Sequence, residues 1–533
     1  MTALAATGAA SLVQNVDWLA IAPVVIPAAV ALIVLVADLF ADERRKPVLG
    51  WISVAGLAAA TAVLLPLRGE DRSTFCLVAD KAASATSAGT AACSYTADSF
   101  TLVIQLLVLG GALVTALLSV TAVRESGLPA GEYWFLLLSS AAGAALLPAS
   151  RDLATLIVAL EVASLPAFAL VGLRRGNRMS SEAALKFFLS SVTATAVSLL
   201  GVSFVYATTG TLHLALLADR LEDVPGQFDT LAMAGVALTL VGFAFKTAAV
   251  PFHFWVPDTY VGAPLPIAGY LSVIGKAVGF TGLILVTVIA FPAYSDIWGP
   301  ALAVLAALTM TLGNAAALRQ SPDRPHSAVR LLAWSSVGQA GYLLVPIAAA
   351  AYSDRDAIGS TVSYALMYAA VNLGAFAVVA LVARTSPANR IADYRGLYHR
   401  RPAAALSMAF FLLCLAGLPP GIIGLFAKVT VFQSAVDAGL GWLAVVMAVN
   451  VVIALYYYLQ WTAILFRAPE TADGEAPQAG RAGDAGEAGP APQRLRTPAP
   501  VTVAIALTGV VAVVLSGAPQ IVLRFAATSL FPQ

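Results

Sequence analysis

The chain has 533 residues, of which 59% are hydrophobic and 11% are charged, and its net charge is +1. Because a soluble domain is usually about 25% charged, most of the surface of this protein must face lipid. The near-neutral charge argues against a nucleic-acid partner, which needs a basic stripe. The composition therefore predicts an all-α, polytopic membrane protein surrounded by the lipid bilayer.

Sequence motifs for bound cofactors are missing. The chain has three cysteines, but no CxxC pair, no phosphate loop and no GxGxxG turn that opens a helix after a strand. We therefore expect this polypeptide to bind no metal, nucleotide, flavin or iron–sulfur cluster. No basic residue precedes the first apolar run, so we expect that run to be a membrane span rather than a cleaved signal peptide.

Fourteen apolar runs are long enough to cross a hydrocarbon core, which takes about 20 helical residues. Their continuous Ala, Leu and Val content favours helices over the alternating strands of a membrane barrel. The predicted spans are 18–39, 47–67, 98–122, 132–149, 152–172, 182–206, 231–250, 262–290, 297–318, 328–350, 358–383, 402–433, 440–466 and 500–523.

The distribution of lysine and arginine predicts the orientation of these spans. With both termini placed outside, the inside loops hold nineteen of the 30 basic residues and the outside segments hold seven. The remaining four are lysines within spans. We therefore predict a cell-membrane protein that crosses the bilayer about fourteen times and has both termini outside.

Two polar stretches interrupt this pattern. Residues 68–97 form a predicted outside insert, in which Cys76 and Cys93 either form a disulfide in an oxidising compartment or remain two free thiols, because spacing alone does not fix a disulfide. Residues 467–499 are rich in Ala, Gly, Pro and Glu. Such a composition cannot bury a core, so we expect a flexible inside linker before the last helix.

Five ionisable residues fall inside the predicted spans: Glu161, Lys186, Lys246, Lys276 and Lys428. A charge at the bilayer centre costs about 2.5–3.5 kcal/mol on insertion scales, so five of them need a reason. Structural ion pairing between helices is one explanation, but one acid cannot neutralise four bases. Proton transfer is the other, because burial makes an amine easier to deprotonate, and we favour it.

Prolines and glycines interrupt the chain beside two of these lysines. Four prolines follow Lys246 within twenty residues, and GLPPGIIG precedes Lys428. Interrupted helices in corresponding positions of two halves are typical of inverted-repeat transporters, whose ion sites lie at the repeat interface. We therefore predict two inverted five-helix repeats with broken helices. The predicted divisions are 1–130 (three N-terminal helices), 131–290 and 291–466 (the two repeats), 467–499 (linker) and 500–533 (last helix).

His253 lies just past the break that follows Lys246. A lone histidine of this kind is often a hydrogen-bonded structural group, but imidazole also titrates near neutral pH and suits proton transfer. The sequence leaves both explanations open. The hydroxyls of Thr247, Ser272 and Tyr342 are candidates for ordering water, although ordinary helix–helix hydrogen bonds explain them as well.

Several stretches resemble the antiporter-like membrane subunits of NADH-quinone oxidoreductase (respiratory complex I), and among these the subunit N family. The resemblance covers roughly residues 98–466. Its most specific parts are LEVASLPAFALVG, FKTAAVPFHFWVPDTYVGAP, LLAWSSVGQAGYLL and LLCLAGLPPGIIGLFAKVTVF. A lysine at position 428 is unlike subunit M, which has a glutamate there, and the single helix after 500 is unlike the long lateral helix of subunit L.

This resemblance implies roles for the intramembrane charges. Glu161 and Lys246 would act as an interacting pair, with Lys186 tuning Glu161 or lining the entry path. Lys276 would connect the two halves from a broken eighth helix, and Lys428 would form the distal site on a broken twelfth helix. Protons would enter from the inside towards Lys246 and leave from Lys428 to the outside.

The resemblance also implies a non-redox subunit of a proton-translocating oxidoreductase. NADH, FMN, iron–sulfur clusters and quinone would then be bound by partner subunits, with subunit M and the small subunit K as neighbours. Two alternatives remain: a subunit of a Na⁺/H⁺ antiporter or of a related dehydrogenase or hydrogenase complex, which would use the same residues, and a non-transporting scaffold in which the charges hold the assembly together.

Overall fold

The computed structural model describes residues 16–76, 93–353, 357–468, 497–527 and 530–531, so most of the predicted linker 467–499 lies outside the described residues. Two strands are β1 (Arg72–Cys76) and β2 (Cys93–Ala97). The helices are α1 (Trp18–Phe40), α2 (Pro47–Ala62), α3 (Ser99–Ser126), α4 (Ala130–Leu146), α5 (Leu153–Val171), α6 (Arg178–Thr209), α7 (Leu214–Glu222), α8 (Asp229–Thr247), α9 (Val256–Gly262), α10 (Leu265–Tyr270), α11 (Lys276–Ile284), α12 (Ser295–Leu318), α13 (Ser327–Ala349), α14 (Ala357–Ala383), α15 (Leu397–Arg400), α16 (Pro402–Ala416), α17 (Ile422–Asp437), α18 (Gly441–Phe466), α19 (Ala499–Gly517) and α20 (Gln520–Leu523).

Helices occupy every one of the predicted spans. Within the described residues, twelve helices are long and apolar enough to cross a membrane, and the shorter apolar helices α2 and α16 fall in the other two predicted spans. The prediction of an all-α membrane protein with about fourteen spans is therefore confirmed. The symmetry of the two repeats and the divisions between domains remain predictions.

Both predicted helix breaks are present, and local sequence explains them. Helix α8 ends where Ala248 adopts a left-handed conformation, with φ of 65°, and Pro251 follows, which has no N–H to continue a helix. Helix α16 ends where Gly417 adopts φ of 85°. Glycine enters this region without steric cost, and Pro419 and Pro420 then delay the start of α17.

The eighth span is continuous, so the expectation that it is broken is wrong. Residues Leu265–Ala290 form one helical rod, in which α10 and α11 are joined by a π-helical segment, Leu271–Gly275, and a second π segment covers Leu285–Ala290. No proline interrupts the rod beyond its first turn. The eighth span therefore has π-helical segments in place of the gap that divides each broken span. Such π segments are frequent at functional sites.

The polar insert forms a hairpin that is tied to the first helix. Strands β1 and β2 pair antiparallel and are joined by a disulfide between Cys76 and Cys93, which decides between the two alternatives for these thiols. Asp17 caps α1 by accepting from the backbone N–H groups of Leu19 and Ala20, and it pairs with Arg72 at 3.1 Å. The backbone donors and the Arg72 guanidinium hold the pKa of Asp17 below its ordinary value.

Loops that were predicted to share one side of the membrane meet in the structure. The backbone of Tyr95 in the hairpin forms an antiparallel β-bridge with that of Ser150, which follows α4. The backbone of Asp152 forms a second such bridge with that of His213, which follows α6. The alternation of the first six spans therefore agrees with the sequence, while the side that faces outwards stays a prediction.

Candidate functional site

Lys246 is buried in the last turn of α8, and neutral groups surround it. Its Nζ donates to Ser191 Oγ at 2.7 Å and lies 4.8 Å from the ring centre of Phe168 and 5.4 Å from that of Phe187. Aromatic faces attract a cation when water is excluded. The end of α8 adds the negative end of a helix dipole. The described neighbours of the Lys246 amine are therefore neutral groups, with no carboxylate in contact.

Glu161 does not contact Lys246 directly. Its carboxylate accepts a hydrogen bond from Thr195 Oγ1 at 2.6 Å, and no described residue forms an ion pair with it. Thr195 lies four residues after Ser191 on α6, so the two hydroxyls share one face of that helix. The acid and the amine that the resemblance implied as a pair are thus each bound by a different hydroxyl of α6, and these two hydroxyls lie one helical turn apart.

Lys276 is the first residue of α11, directly after the π segment. It is 1% exposed, and among the described residues no group hydrogen-bonds to its Nζ. One turn earlier, Ser272 accepts at its hydroxyl from Asn372 Nδ2 at 2.6 Å and at its carbonyl from the Tyr368 hydroxyl at 3.2 Å. The π segment therefore presents polar groups towards α14 in the middle of the membrane.

Lys428 lies on α17 and caps the broken helix α16. Its buried Nζ donates to the carbonyl oxygens of Leu415 at 2.9 Å and Ala416 at 2.7 Å. The last carbonyls of a helix lack partners within the helix, and a cation there is favoured by the helix dipole. The break predicted from the glycines and prolines thus creates the acceptor site for this amine.

Small cavities adjoin two of the amines. One of about 20 Å³ is lined by Lys246, Ser140, Ser164 and Tyr270 together with apolar groups. A second of about 20 Å³ lies beside Lys428. Each has room for about one water molecule, and polar groups that a water would bond to are present. Lys246 and Lys428 therefore each adjoin a space of about the size of one water molecule.

Sequence reasoning missed a set of amide and phenol side chains between Lys276 and Lys428. The Tyr364 hydroxyl donates to Gln339 Oε1, and Gln339 Nε2 donates to the Tyr458 hydroxyl at 3.3 Å. Both Gln339 and Tyr364 line the cavity beside Lys428. Further along, Asn314 bonds to Asn450 at 3.0 Å. In the sequence these residues are recognisable only as polar residues within apolar spans, and that pattern does not identify their hydrogen-bond partners.

The expectation that Lys186 is buried in the membrane is wrong. Its side chain is 48% exposed and pairs with Glu182 at 2.7 Å and Asp258 at 3.0 Å. Asp258 also lies 3.5 Å from Arg330. Lys186 is eight residues into α6, close enough to the helix start for two carboxylates to reach it. The structure does not bring it to Glu161, so its entry-path role remains a prediction.

His253 lies in the turn between α8 and α9. Its Nδ1 is buried without a hydrogen-bond partner among the described residues, its ring centre lies 5.7 Å from that of Trp334, and the charge of Lys276 acts on it. His253 thus follows the helix that carries Lys246 and contacts α13 through Trp334. Whether it transfers protons stays a prediction.

The arrangement favours proton transfer over structural ion pairing. In the described part of the chain, none of the three buried amines forms an ion pair with a carboxylate, although such pairs are what structural glue requires. Helix ends, aromatic rings and hydroxyls serve as their neighbours instead. Over the same residues, no three His, Cys, Asp or Glu side chains come together as a metal site would need.

Comparisons with known proteins agree with this geometry. The family model of the NADH:quinone oxidoreductase/Mrp antiporter transmembrane region matches residues 150–454, a range that contains every candidate site residue. The chain is 73% identical, over 99% of its length and 96% of the relative, to a protein of Streptomyces griseus named NADH-quinone oxidoreductase subunit N 2. It is 43% identical to the subunit N of Salinispora tropica, over 97% of this chain and 100% of that one.

Solved structures show the same fold. A chain of respiratory complex I from Thermus thermophilus superposes with a TM-score of 0.71 at 30% identity, covering 94% of this chain and 98% of that one. A chain of the Mrp complex from Dietzia superposes with a TM-score of 0.77 at 22% identity, covering 97% of each. At that lower identity the likeness shows the fold alone.

Proposed function

We propose a proton-translocating role for this chain, which belongs to the NADH:quinone oxidoreductase/Mrp antiporter transmembrane family. It acts as a membrane subunit of an NADH-quinone oxidoreductase, in agreement with the names of its relatives. We further propose that this subunit holds no electron carrier and moves protons through buried side chains. Electron transfer in partner subunits, with M-type and K-type membrane subunits as neighbours, supplies the energy.

One observation carries this proposal: three buried amines have neutral partners, and Glu161, the only carboxylate well inside a described span, is bound by a hydroxyl one helical turn from the hydroxyl that binds the first of them. An amine that contacts a carboxylate holds its proton, because two unit charges about 4 Å apart interact by roughly 4 kcal/mol at an effective dielectric of about 20. An amine with hydroxyl and carbonyl partners releases a proton more readily. Approach or withdrawal of Glu161 therefore switches Lys246 between holding and releasing its proton.

The proposed direction of transfer follows the roles that the resemblance implies and the predicted orientation. Lys246 receives a proton from the predicted inside and, when Glu161 is held away by Thr195, passes it towards Lys276. The groups that join the halves are Ser272, Asn372, Tyr368, Gln339 and Tyr364. Lys428 receives the proton beside Gln339, and its release lies towards the predicted outside.

The alternative function is that of a Na⁺/H⁺ antiporter subunit, because this chain has the same fold as a chain of the Mrp complex. The identity to subunit N proteins over nearly the whole chain favours the oxidoreductase. Purification of the complex in mild detergent separates the two. Co-purification with flavin-containing and iron–sulfur subunits supports the oxidoreductase, and their absence from an intact complex contradicts it.

The test of proton transfer is substitution of Lys246 in the assembled complex. We expect Lys246→Ala and Lys246→Arg both to reduce proton pumping in sealed vesicles by about tenfold or more, because alanine has no site and guanidinium stays charged. Quinone reduction should fall with pumping through coupling.

Arg319→Ala is the matched control, because it removes an exposed cation in a loop outside the site. It should leave pumping unchanged. Pumping by Lys246→Arg at the wild-type rate would contradict the switch, whereas loss of assembly in Lys246→Ala with normal pumping in Lys246→Arg would favour the scaffold function instead.

A further inference from the structure

A large cleft opens at the end of the molecule that is predicted to face inside. Its volume is about 850 Å³, and its walls come from the α1–α2 loop, the end of α3, the start of α4 and the α5–α6 loop. No group of the proton-transfer site lines it. The cleft therefore needs an explanation of its own.

The charges in the cleft leave an excess of unpaired cations. Lys46 pairs with Glu43 at 2.6 Å and lies 3.9 Å from Asp38, so this single cation is shared between two acids. Three arginines also line the cleft and form no ion pair or side-chain hydrogen bond with any residue that the structure describes: Arg124, Arg174 and Arg175. The one remaining acid is Glu132. A cluster of guanidinium groups without counter-ions suits an anion with several oxygens.

Arg174 is the most constrained of these cations. It is half-buried against the cleft, and burial lowers the pKa of its guanidinium because no anion compensates it. A guanidinium nevertheless stays charged at neutral pH, so the uncompensated charge is permanent. This distinguishes Arg174 from an ordinary solvated arginine of a loop.

Apolar side chains also line the cleft and lie near it. Val120, Leu128 and Leu173 line it beside the arginines. At the end of α1, Leu39 is 77% exposed and Phe40 is 85% exposed, and at the start of α2 Val48 is 55% exposed. A ligand with both an anionic head and an apolar body matches this combination, while a free phosphate would use only the arginines.

We propose that this cleft binds one anionic phospholipid, with its phosphate on Arg174 and Arg175 and its acyl chains along the exposed apolar faces of α1 and α2. Guanidinium groups bind phosphate oxygens in pairs, and basic pockets between membrane helices on the cytoplasmic side bind anionic headgroups. Lys46 and its two acids also line the cleft. The proposal depends on membrane insertion and not on proton translocation.

The experiment uses the whole complex in detergent with phosphatidylglycerol that carries a photoreactive acyl chain. After illumination, peptides that cover residues 39–51 are analysed by mass spectrometry. We expect labelling of this segment in the wild type, competed by unlabelled phosphatidylglycerol but not by phosphatidylcholine or inorganic phosphate. The double variant Arg174→Gln, Arg175→Gln should lower the labelling about tenfold, as expected when hydrogen bonds to a charged group are lost.

Two controls keep the test decisive. Arg319→Gln removes an arginine from another inside loop and should label like the wild type. Arg174→Lys with Arg175→Lys keeps the charge and should restore part of the labelling if the glutamine variant fails to assemble. Equal labelling by a photoreactive phosphatidylcholine, equal competition by inorganic phosphate, or unchanged labelling of the glutamine variant would each overturn the proposal.

Discussion

At the scale of single residues, the two hydroxyls of α6 decide how Glu161 and Lys246 interact. Direct contact between a buried acid and a buried amine would form a stable pair that is costly to open. Thr195 instead binds the acid and Ser191 binds the amine. Each charged group therefore has a polar partner when Glu161 and Lys246 are apart. The free-energy difference between the state in which they are in contact and the state in which they are apart is thereby reduced.

Thr195→Val tests this role, because valine has nearly the same shape without the hydroxyl. Loss of a hydrogen bond to a charged group costs about 1.5–3 kcal/mol. The Glu161 carboxylate should then turn to Lys246, and the paired amine of Lys246 should keep its proton. We expect proton pumping in sealed vesicles to fall about tenfold, while the complex still assembles.

Thr193→Val is the matched control for this prediction. Thr193 is exposed on the same helix and donates only to the carbonyl of Leu189 in its own helix. It should pump like the wild type. Equal pumping by the Thr193 and Thr195 variants would contradict the hydroxyl-bridge explanation.

Residue types in the sequence predicted which groups are charged in the membrane, but not their partners. Lys186 looked buried because apolar residues surround it in the sequence, whereas Asp258, 72 residues away, brings it into a surface ion pair. Glu161 found Thr195, 34 residues away. Such partners depend on the packing of distant helices, which local sequence does not contain.

At the scale of elements, the broken spans place helix ends inside the membrane. Proline and glycine signals were enough to predict the breaks after Lys246 and before Lys428. They did not predict that Lys428 turns back onto the carbonyls of α16, or that the eighth span widens into π segments. These outcomes follow from close packing between helices, which a sequence of small residues permits but does not specify.

Gly424 tests how closely α16 and α17 must approach for this contact. A Cβ at Gly424 would overlap the carbonyl oxygen of Cys414, and neither partner is a flexible side chain. We expect Gly424→Ala to separate the helices, weaken the bonds from Lys428, and destabilise the protein by about 1–3 kcal/mol. The measurements are the unfolding temperature and the rate of proton pumping, and both should fall.

Gly441→Ala serves as the comparison, since no atom lies within 4 Å of a Cβ at Gly441. That variant should keep both the unfolding temperature and the pumping rate. If Gly424→Ala behaved like Gly441→Ala in both measurements, the close approach of the two helices would not be needed to hold Lys428.

At the scale of the whole molecule, composition and apolar run length were sufficient to predict the architecture. Each of the fourteen predicted spans contains helix, because lipid requires every backbone polar group to be satisfied within its segment. The orientation rests on a different argument, the excess of arginine in the inside loops. That argument has a direct experimental consequence at the polar insert.

The hairpin disulfide offers a test of orientation. The chain has three cysteines; two form the disulfide and Cys414 is buried, so a membrane-impermeant maleimide should not label the wild type in intact cells. Cys93→Ser frees the thiol of Cys76, and if the hairpin faces outside, as the arginine distribution predicts, this variant should be labelled without permeabilisation. Arg319→Cys, in a predicted inside loop, should be labelled only after permeabilisation. The reverse pattern would invert the membrane orientation, and with it the direction of proton transfer from Lys246 to Lys428.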